Sequence, residues 1–253
     1  MSSNRLRLNP GKTQFIWVGS RVQVSKIDMQ NLQHCFPGMT FSTTVRDLGV
    51  TLDQELTLSD HVRNVCRTCF YHLRQIRSAR RSLTTKAATT LMHAFICTRV
   101  DYGSAIYAGL TLSRINKLQS VLNAAARLIG GIPKFGHISS FIREELHWLP
   151  MQKRIEFKIL MFMRNCLAGQ APIYLMELCV PVLSIPGRRF LRSATHGDLI
   201  VPMARSSTVL HRSFATVGPS FWNKLLISLR NELLCLSLPL FRKRLKTILF
   251  DCG

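Results

Sequence analysis

From Leu58 onward, the apolar residues of the chain recur with the period of an α-helix, which restricts the fold more than any other feature. In the first such segment, apolar side chains occupy one stripe and arginines fall largely on the other faces. The pattern predicts a long amphipathic helix with a basic side. The apolar stripe consists of Leu58, Val62, Val65, Cys69, Leu73 and Ile76.

Several further helices are predicted after this segment. A hydroxyl group within residues 82–85 can cap a helix that extends to Arg99, because a side-chain oxygen accepts hydrogen bonds from the first amides of a helix. The segment 113–129 is followed by Gly130 and Gly131, a residue type that ends helices. The other predicted helices cover residues 151–167, 171–178, 220–229 and 238–249.

The main β portion is predicted near the start of the chain. Residues 13–19 are rich in β-branched and aromatic types and end at Gly19, as expected of a short buried strand. A second strand is predicted over residues 45–52, where Gly49 marks a bulge or a close approach of another backbone. The predicted fold class is mainly α, with a small N-terminal β portion followed by a helical bundle and an irregular-plus-helical C-terminal region.

The composition changes along the chain and suggests three regions. The β portion occupies residues 1–56, and the helical bundle occupies residues 57–180. Prolines and glycines accumulate after Val180, so residues 180–219 are expected to form an irregular surface connection with one short strand at 198–202. The third region, residues 181–253, comprises this connection and the C-terminal helices.

The charge of the chain is strongly unbalanced. It contains 34 lysines and arginines against 13 acidic residues, and this formal net charge of +21 favours a polyanionic partner, either nucleic acid or an anionic membrane surface. The basic clusters are interleaved with the aromatic residues Phe70, Tyr71, Phe190 and Phe241, which could stack on bases. The candidate phosphate contacts are Arg63, Arg67, Arg74, Arg77 and Arg81, then Arg188, Arg189 and Arg192, and finally Arg242, Lys243 and Lys246.

No apolar run reaches the about 18 to 20 charge-free residues that span a bilayer, so no integral membrane association is predicted. Basic residues also interrupt the first part of the chain before an apolar signal segment can form. An intracellular location, nuclear or cytoplasmic, is therefore expected, and the eight cysteines are expected to be reduced thiols.

Cys66 and Cys69 have the CxxC spacing of zinc ligands. His61 and His72 lie near them in sequence, but the cysteine pair falls within a helix, on its apolar stripe, and no second close pair follows. Small buried cysteines are the preferred interpretation, and no metal site is predicted. The same interpretation applies to the scattered cysteines Cys97, Cys166 and Cys235.

Two other catalytic patterns are incomplete. Residues 11–13, Gly-Lys-Thr, match the end of a phosphate-binding P-loop, but that motif requires another glycine where this chain has Leu6. Two-metal phosphoryl transfer requires converging carboxylates, and the chain has no Asp-Asp pair. Its adjacent acids, Glu144 and Glu145, would point about 100° apart on a helix, which favours a capping or surface role.

Short motifs that follow one another along the chain carry a resemblance to a known family. They are the opening residues 1–17, then VRDLGVTLD at 45–53, FYHLR at 70–74, RVDY at 99–102, NAAARL at 123–128, LHWLP at 146–150, PGRR at 186–189 and GPSFWN at 218–223. In content and order they resemble the C-terminal part of non-LTR (LINE-type) retrotransposon reverse transcriptases. The opening residues are similar to the segment called motif D, and Lys12 falls on the lysine of that motif.

The resemblance implies that the chain is the end of the palm, the thumb and the downstream helical region of an RNA-directed DNA polymerase. A thumb holds the template–primer duplex mainly through phosphate and sugar contacts. In related polymerases the motif D lysine, here Lys12, assists the departure of pyrophosphate, which requires the catalytic metal site. The resemblance thus implies Mg²⁺ for the intact enzyme but no cofactor for this chain.

These observations predict a truncated polymerase fragment that is inactive alone and retains non-specific binding to RNA, DNA or their hybrid. Two alternatives stay open. A domesticated remnant could use its apolar helical faces and open strand edges to bind a protein, including the missing palm and fingers. The sequence could also be an incomplete record of an active reverse transcriptase, with the catalytic carboxylates upstream of Met1.

Overall fold

The computed structural model describes residues 9, 13–37, 39, 41–187, 196–203 and 211–251. The chain forms two compact units, Met1–Asn64 and Val65–Gly253. Helices dominate, and the strands of the described residues form one two-stranded sheet near the N-terminus. The predicted fold class, mainly α with a small N-terminal β portion, is confirmed. The finer division at residues 56 and 180 stays a prediction.

Two short helices precede the sheet in the N-terminal unit. Helix α1, Arg21–Val24, begins at Ser20, whose hydroxyl accepts a hydrogen bond from the backbone N–H of Gln23. The Gln23 side chain accepts from the Ser20 backbone N–H in return, and this reciprocal pair satisfies amides that the first turn leaves free. Helix α2, Met29–Cys35, begins at Asp28, whose carboxylate accepts from two amides of the first turn.

The sheet is an antiparallel hairpin of strands β1, Thr44–Asp47, and β2, Val50–Asp53. Leu48 and Gly49 connect the strands with φ angles of 45° and 85°. Positive φ at both central residues is typical of the type I′ turn, whose twist matches that of the flanking strands. The prediction of one continuous strand over residues 45–52 is wrong, because Gly49 reverses the chain direction instead of forming a bulge.

Residues 13–19 do not form the predicted buried strand. Phe15 makes a parallel bridge to Phe41, and the centres of the two rings lie 5.9 Å apart. Trp17 and Val18 are 43% and 46% exposed. A strand needs a partner along its length to satisfy its amides and carbonyls, whereas the described residues pair with this segment only around its two ends.

Helix α3, Ser59–Ala79, begins after a turn that Asp53 stabilises. The Asp53 carboxylate accepts hydrogen bonds from the backbone N–H groups of Thr57 and Leu58 at 2.8 and 2.7 Å. These bonds hold Leu58 at a φ of 57°, a left-handed conformation that non-glycine residues rarely adopt. The last residue of the hairpin therefore determines where the helix begins.

His61, in the first turn of α3, is a buried histidine of the N-terminal unit. Its side chain is 4% exposed, and its Nδ1 accepts a hydrogen bond from the backbone N–H of Thr51 at 3.4 Å. Burial, and to a smaller extent the nearby Arg46 guanidinium, lower the pKa of the His61 imidazole from its usual 6.5. The folded unit therefore holds His61 neutral at a pH where the unfolded chain would bind a proton.

This depressed pKa predicts a pH-dependent stability. The contribution of neutral His61 is fully present above pH 6.5 and is lost as the pH falls through the lower pKa of the folded state, because the unfolded chain then binds more protons. Urea unfolding followed at pH values on both sides of 6.5 should show this loss in the native chain and a smaller loss in His61→Gln. His34→Gln, at an exposed histidine of α2, is the matched control. The same pH dependence in native chain and His61→Gln would contradict the assignment.

The described part of the second unit is a bundle of helices. The helix predicted to start within residues 82–85 is capped by Thr84, whose hydroxyl accepts from the Ala87 amide at 3.2 Å, and it extends to Asp101. Among the described residues, the helices after α3 are α4, Thr85–Met92; α5, Thr98–Asp101; α6, Leu112–Gly130; α7, Met151–Leu167; α8, Ile173–Met176; α9, Phe214–Lys224; α10, Ile227–Cys235; and α11, Leu238–Asp251.

Shorter turns connect these helices. His93–Cys97 is a π-helical turn that joins α4 to α5, and a second π-helical turn precedes α7. Gly131 has a φ of 64° and ends α6, as its residue type predicted. The short turns are the 3₁₀ helices Arg80–Ser82, Ser104–Tyr107 and Val182–Ser184 and the π-helical turn Phe141–Glu145.

Helix α7 contacts α6, α9 and α11 and supplies much of the core of this unit. Trp222 of α9 and Phe241 of α11 are 1% and 0% exposed. At Gly218, a Cβ atom would lie 2.5 Å from the sulfur of Met163 on α7, so glycine permits α9 to approach this closely. The predicted stripe of α3 is also buried, except that Val65 is half-buried.

The C-terminal part differs from its prediction in three places. The helix predicted over 220–229 is two helices, α9 and α10, because the chain turns at Leu225 and buries that side chain. Instead of the strand predicted at 198–202, the structure has a single bridge between Pro181 and Leu199. The Leu199 backbone N–H donates to the Asn223 side chain at 2.9 Å, and the Asn223 amide donates to the Leu199 carbonyl at 2.8 Å, so neither group is left for a partner strand. The helix predicted over 171–178 is confined to α8.

None of the described helices combines the length and the apolar composition needed to cross a bilayer.

Candidate nucleic-acid interface

One exposed face of α3 combines arginines with aromatic rings. Five residues of α3 share one side of the helix, because each lies three or four positions from another member of the group. They are Arg67, Phe70, Tyr71, Arg74 and Arg77. Phe70 and Tyr71 are 40% and 52% exposed, and the three arginines are exposed. Arg81, in the 3₁₀ helix that follows, continues the row. We call these six residues the basic stripe.

The arginines of the basic stripe have no acidic partner in the part of the chain that the structure describes. Among the described residues, no hydrogen bond or ion pair engages the side chains of Arg67, Arg74, Arg77 or Arg81. Arg63 differs, because its guanidinium pairs with Asp60 at 2.7 Å and because it lies in the N-terminal unit. The stripe therefore presents unneutralised charge, the property that phosphate binding requires.

Aromatic rings continue from the stripe towards the π-helical turn at residues 93–97. The ring of Tyr71 meets His72 edge-on at 5.5 Å, and His72 lies 5.2 Å from Phe95, which is 40% exposed. Arg99, also exposed, follows Phe95 by one helical turn. Exposed rings beside cationic groups are the arrangement on which unpaired bases stack, because every base has a π-face and the cations attract the backbone.

Comparison of the chain with protein-family models, with curated proteins and with solved structures found no match.

The other predicted contacts have different surroundings. Arg242, Lys243 and Lys246 are exposed on α11, and Lys246 also lines a cavity near Arg154. The prediction that Phe241 could stack on bases is wrong, because its ring is fully buried. Five of the predicted site residues lie outside the described residues: Lys12, Arg188, Arg189, Phe190 and Arg192.

Arg80 has a structural role that the sequence did not reveal. Its guanidinium donates to the carbonyl oxygens of Leu128, Ile129 and Leu83 at 2.8, 2.7 and 2.9 Å. The first two carbonyls belong to the last turn of α6, which lacks internal donors and carries the negative end of the helix dipole. Arg80 thus closes α6 and leaves its neighbours Arg77 and Arg81 to solvent.

Several other arginines also bind backbone carbonyls. Arg164 is 6% exposed and donates to the Leu236 carbonyl at 3.0 Å and to Gln170 at 2.6 Å. Arg212 donates to the Ala108 carbonyl at 3.2 Å. Part of the positive charge of the chain therefore stabilises the fold and is not available to a partner. Arg164 follows the buried Leu160 by four residues, so helical periodicity could have identified its burial.

Four of the seven described cysteines are buried, namely Cys69, Cys97, Cys166 and Cys179, whereas Cys66 is half-buried and Cys35 is exposed. Burial raises the pKa of the Cys66 thiol and raises that of Cys69 to about 12, so both remain protonated near neutral pH. Cys97 and Cys166 are buried as well, whereas the prediction is wrong for Cys235, which is exposed at the end of α10. A protonated thiol is a poor metal ligand, and no group of three or more metal-ligating side chains occurs in the described part of the chain.

Proposed function

We propose that this chain binds RNA, DNA or their hybrid, without sequence preference, through the basic stripe of α3. The observation that carries the proposal is the row of Arg67, Arg74, Arg77 and Arg81, exposed and without an acidic partner among the described residues. Such a row attracts phosphates and releases their counterions, which makes the affinity depend steeply on salt.

The spacing along the helix suits a duplex backbone. Arg67 and Arg77 are separated by ten residues, or about 15 Å of helix axis at 1.5 Å per residue. Long arginine side chains on one side of this rod can each reach a phosphate without reading a base, so the binding should be non-specific. Tyr71 and Phe95 add surfaces for bases at a strand end.

The resemblance to LINE-type reverse transcriptases supports the same function from the sequence side. In that family the corresponding segment is the thumb, and the FYHLR motif at residues 70–74 contributes Phe70, Tyr71 and Arg74 to the basic stripe. We therefore propose the end of the palm and the thumb of an RNA-directed DNA polymerase as the origin of this chain. The activity that we propose for the chain itself is duplex binding alone.

Salt-dependent binding tests the proposal. Fluorescence anisotropy of a labelled RNA–DNA hybrid should show tight binding at low salt and a linear fall of log K with log salt. Replacing Arg67, Arg74, Arg77 and Arg81 with glutamine should reduce the magnitude of that slope by about 3, since each phosphate contact contributes about 0.7 to 0.9.

The control removes the same charge elsewhere. The control variant replaces four lysines that are exposed on other parts of the second unit with glutamine: Lys86, Lys117, Lys134 and Lys224. It should keep most of the slope of log K against log salt. Equal slopes in the two quadruple variants would show that binding is spread over the whole surface. Absence of binding by the native chain at low salt would refute the function itself.

A further inference from the structure

A cavity of about 340 Å³ opens between α7, α11 and the π-helical turn at residues 93–97, all within the second unit. Its volume lies within the range of about 300–1,000 Å³ that small-molecule sites occupy. The residues that matter for its chemistry are Asp101, Trp148, Arg154, Phe157, Lys158 and Lys246.

Positive charge exceeds negative charge in the lining. Asp101 is the acid that lines the cavity among the described residues, and Arg154 already binds it at 2.7 Å. Lys158 and Lys246 also line the cavity, and neither forms an ion pair with a described residue. Their ammonium groups lie 5.5 and 5.7 Å from the rings of Phe162 and Phe250. The cavity thus carries two cations more than its carboxylate neutralises.

These cations repel one another. Burial and the Arg154 guanidinium lower the pKa of Lys246, and burial followed by Arg154 lowers that of His93 at the same cavity. The charged forms of both side chains are therefore disfavoured by their surroundings in the cavity. A bound anion would reverse this repulsion, because opposite charges close together favour each other's ionised forms.

The remaining wall is apolar. Trp148, Leu149 and Phe157 line it, and the Trp148 ring is fixed between the Arg154 guanidinium at 5.6 Å and the edge of His93 at 5.5 Å. His147, directly before Trp148, has a φ of 50°, a conformation that costs energy in a non-glycine residue and often occurs near binding sites. A lining that combines cations with apolar rings fits a ligand with an anionic group and a flat apolar body.

We propose that this cavity binds a nucleoside monophosphate, with the phosphate held by Lys158 and Lys246 and the base against the apolar part of the lining. The monophosphate is either a free nucleotide or the phosphorylated end of a strand. The proposal does not rest on duplex binding by α3, since Lys158, Lys246 and Trp148 lie on other elements.

Calorimetric titration of the full chain with AMP, adenosine and inorganic phosphate tests the site. AMP should bind at least about 10-fold more tightly than either part alone, because each part lacks one set of contacts. Lys246→Gln should weaken AMP binding about 10-fold or more, as expected for loss of a charged hydrogen bond, and Lys158→Gln should act similarly. Lys243→Gln, at an exposed lysine of α11 outside the cavity lining, should leave the affinity unchanged.

The quadruple glutamine variant of the basic stripe separates the two proposals. It should bind AMP like the native chain even though it loses duplex affinity, and circular dichroism should confirm that each variant is folded. Equal binding of AMP and adenosine, equal binding of AMP and phosphate, no binding of AMP, or equal loss in Lys243→Gln and Lys246→Gln would each overturn the site.

Competition in that variant identifies the source of the nucleotide. An oligonucleotide with a 5′-phosphate that displaces AMP better than its 5′-hydroxyl counterpart would assign the site to strand ends. Failure of both oligonucleotides to displace AMP would assign it to free mononucleotides.

Discussion

Replacing Arg230 with methionine is expected to lower the free energy of unfolding of the second unit by about 3–5 kcal/mol. Arg230, on α10, is 4% exposed, and its Nη1 donates to the Asp198 carboxylate at 2.6 Å. Methionine fills a similar volume but leaves that carboxylate, whose side chain is 23% exposed, without its cation. An unpaired charge in low dielectric is the source of the expected loss.

The size of the loss separates the ion pair from simple packing. Urea unfolding monitored by circular dichroism would measure it, and the double variant Arg230→Met with Asp198→Leu should recover a large part, since no charge is then left unpaired. Arg242→Met, an exposed arginine of α11, should change stability by no more than about 0.5 kcal/mol. A loss in Arg230→Met as small as that of Arg242→Met would show that the buried pair contributes little.

Replacing Trp222 with alanine should cost about 3–5 kcal/mol, as expected for truncation of a fully buried aromatic side chain. Trp222 is 1% exposed on α9, the helix that approaches α7 at Gly218. Helix α7 is fully buried at Met163, which lies beside Gly218 one turn before Trp222, so the core has little freedom to collapse into the space. The cavity left behind therefore adds to the lost transfer free energy.

Two comparisons make this prediction specific. Trp222→Phe should lose less stability than Trp222→Ala, because most of the ring volume remains. Leu226→Ala, four residues away and 69% exposed, should stay within about 0.5 kcal/mol of the native chain in the same urea titration. Similar losses for Trp222→Ala and Leu226→Ala would mean that α9 does not contribute to the core in this way.

The helices that could be predicted are those whose signals are local. Helix α6 combines a regular apolar stripe with Gly131 at its end, and the structure ends it at that glycine. Helix α3 likewise follows its stripe from Leu58 onward. In both helices the period, the cap and the burial favour the same conformation, which makes such segments predictable.

Two of the errors occur where a distant residue determines the local structure. Residues 13–19 have strand-forming side chains but lack a partner strand along their length in the described part of the chain. The backbone N–H and carbonyl of Leu199 form hydrogen bonds with the side chain of Asn223, which is far away in sequence. No local propensity contains information about such partners.

The candidate interface was only partly predictable for the same reason. Sequence periodicity places Arg67, Arg74 and Arg77 on the polar side of a helix, and the structure exposes them. The same composition gave no sign that Arg80 binds the end of α6, since that contact joins residues separated by almost fifty positions. Net charge therefore overestimates the cations that a partner can reach.

The number of residues in the π-helical turn at His93–Cys97 determines where the side chains after it point. One residue more than in an ordinary turn rotates everything that follows by about 100° around the helix axis. Asp101 comes after this turn and reaches Arg154 at 2.7 Å. A chain one residue shorter here would keep both charged residues and still turn the carboxylate away from its arginine, so the number of residues in this turn is as important as their identity.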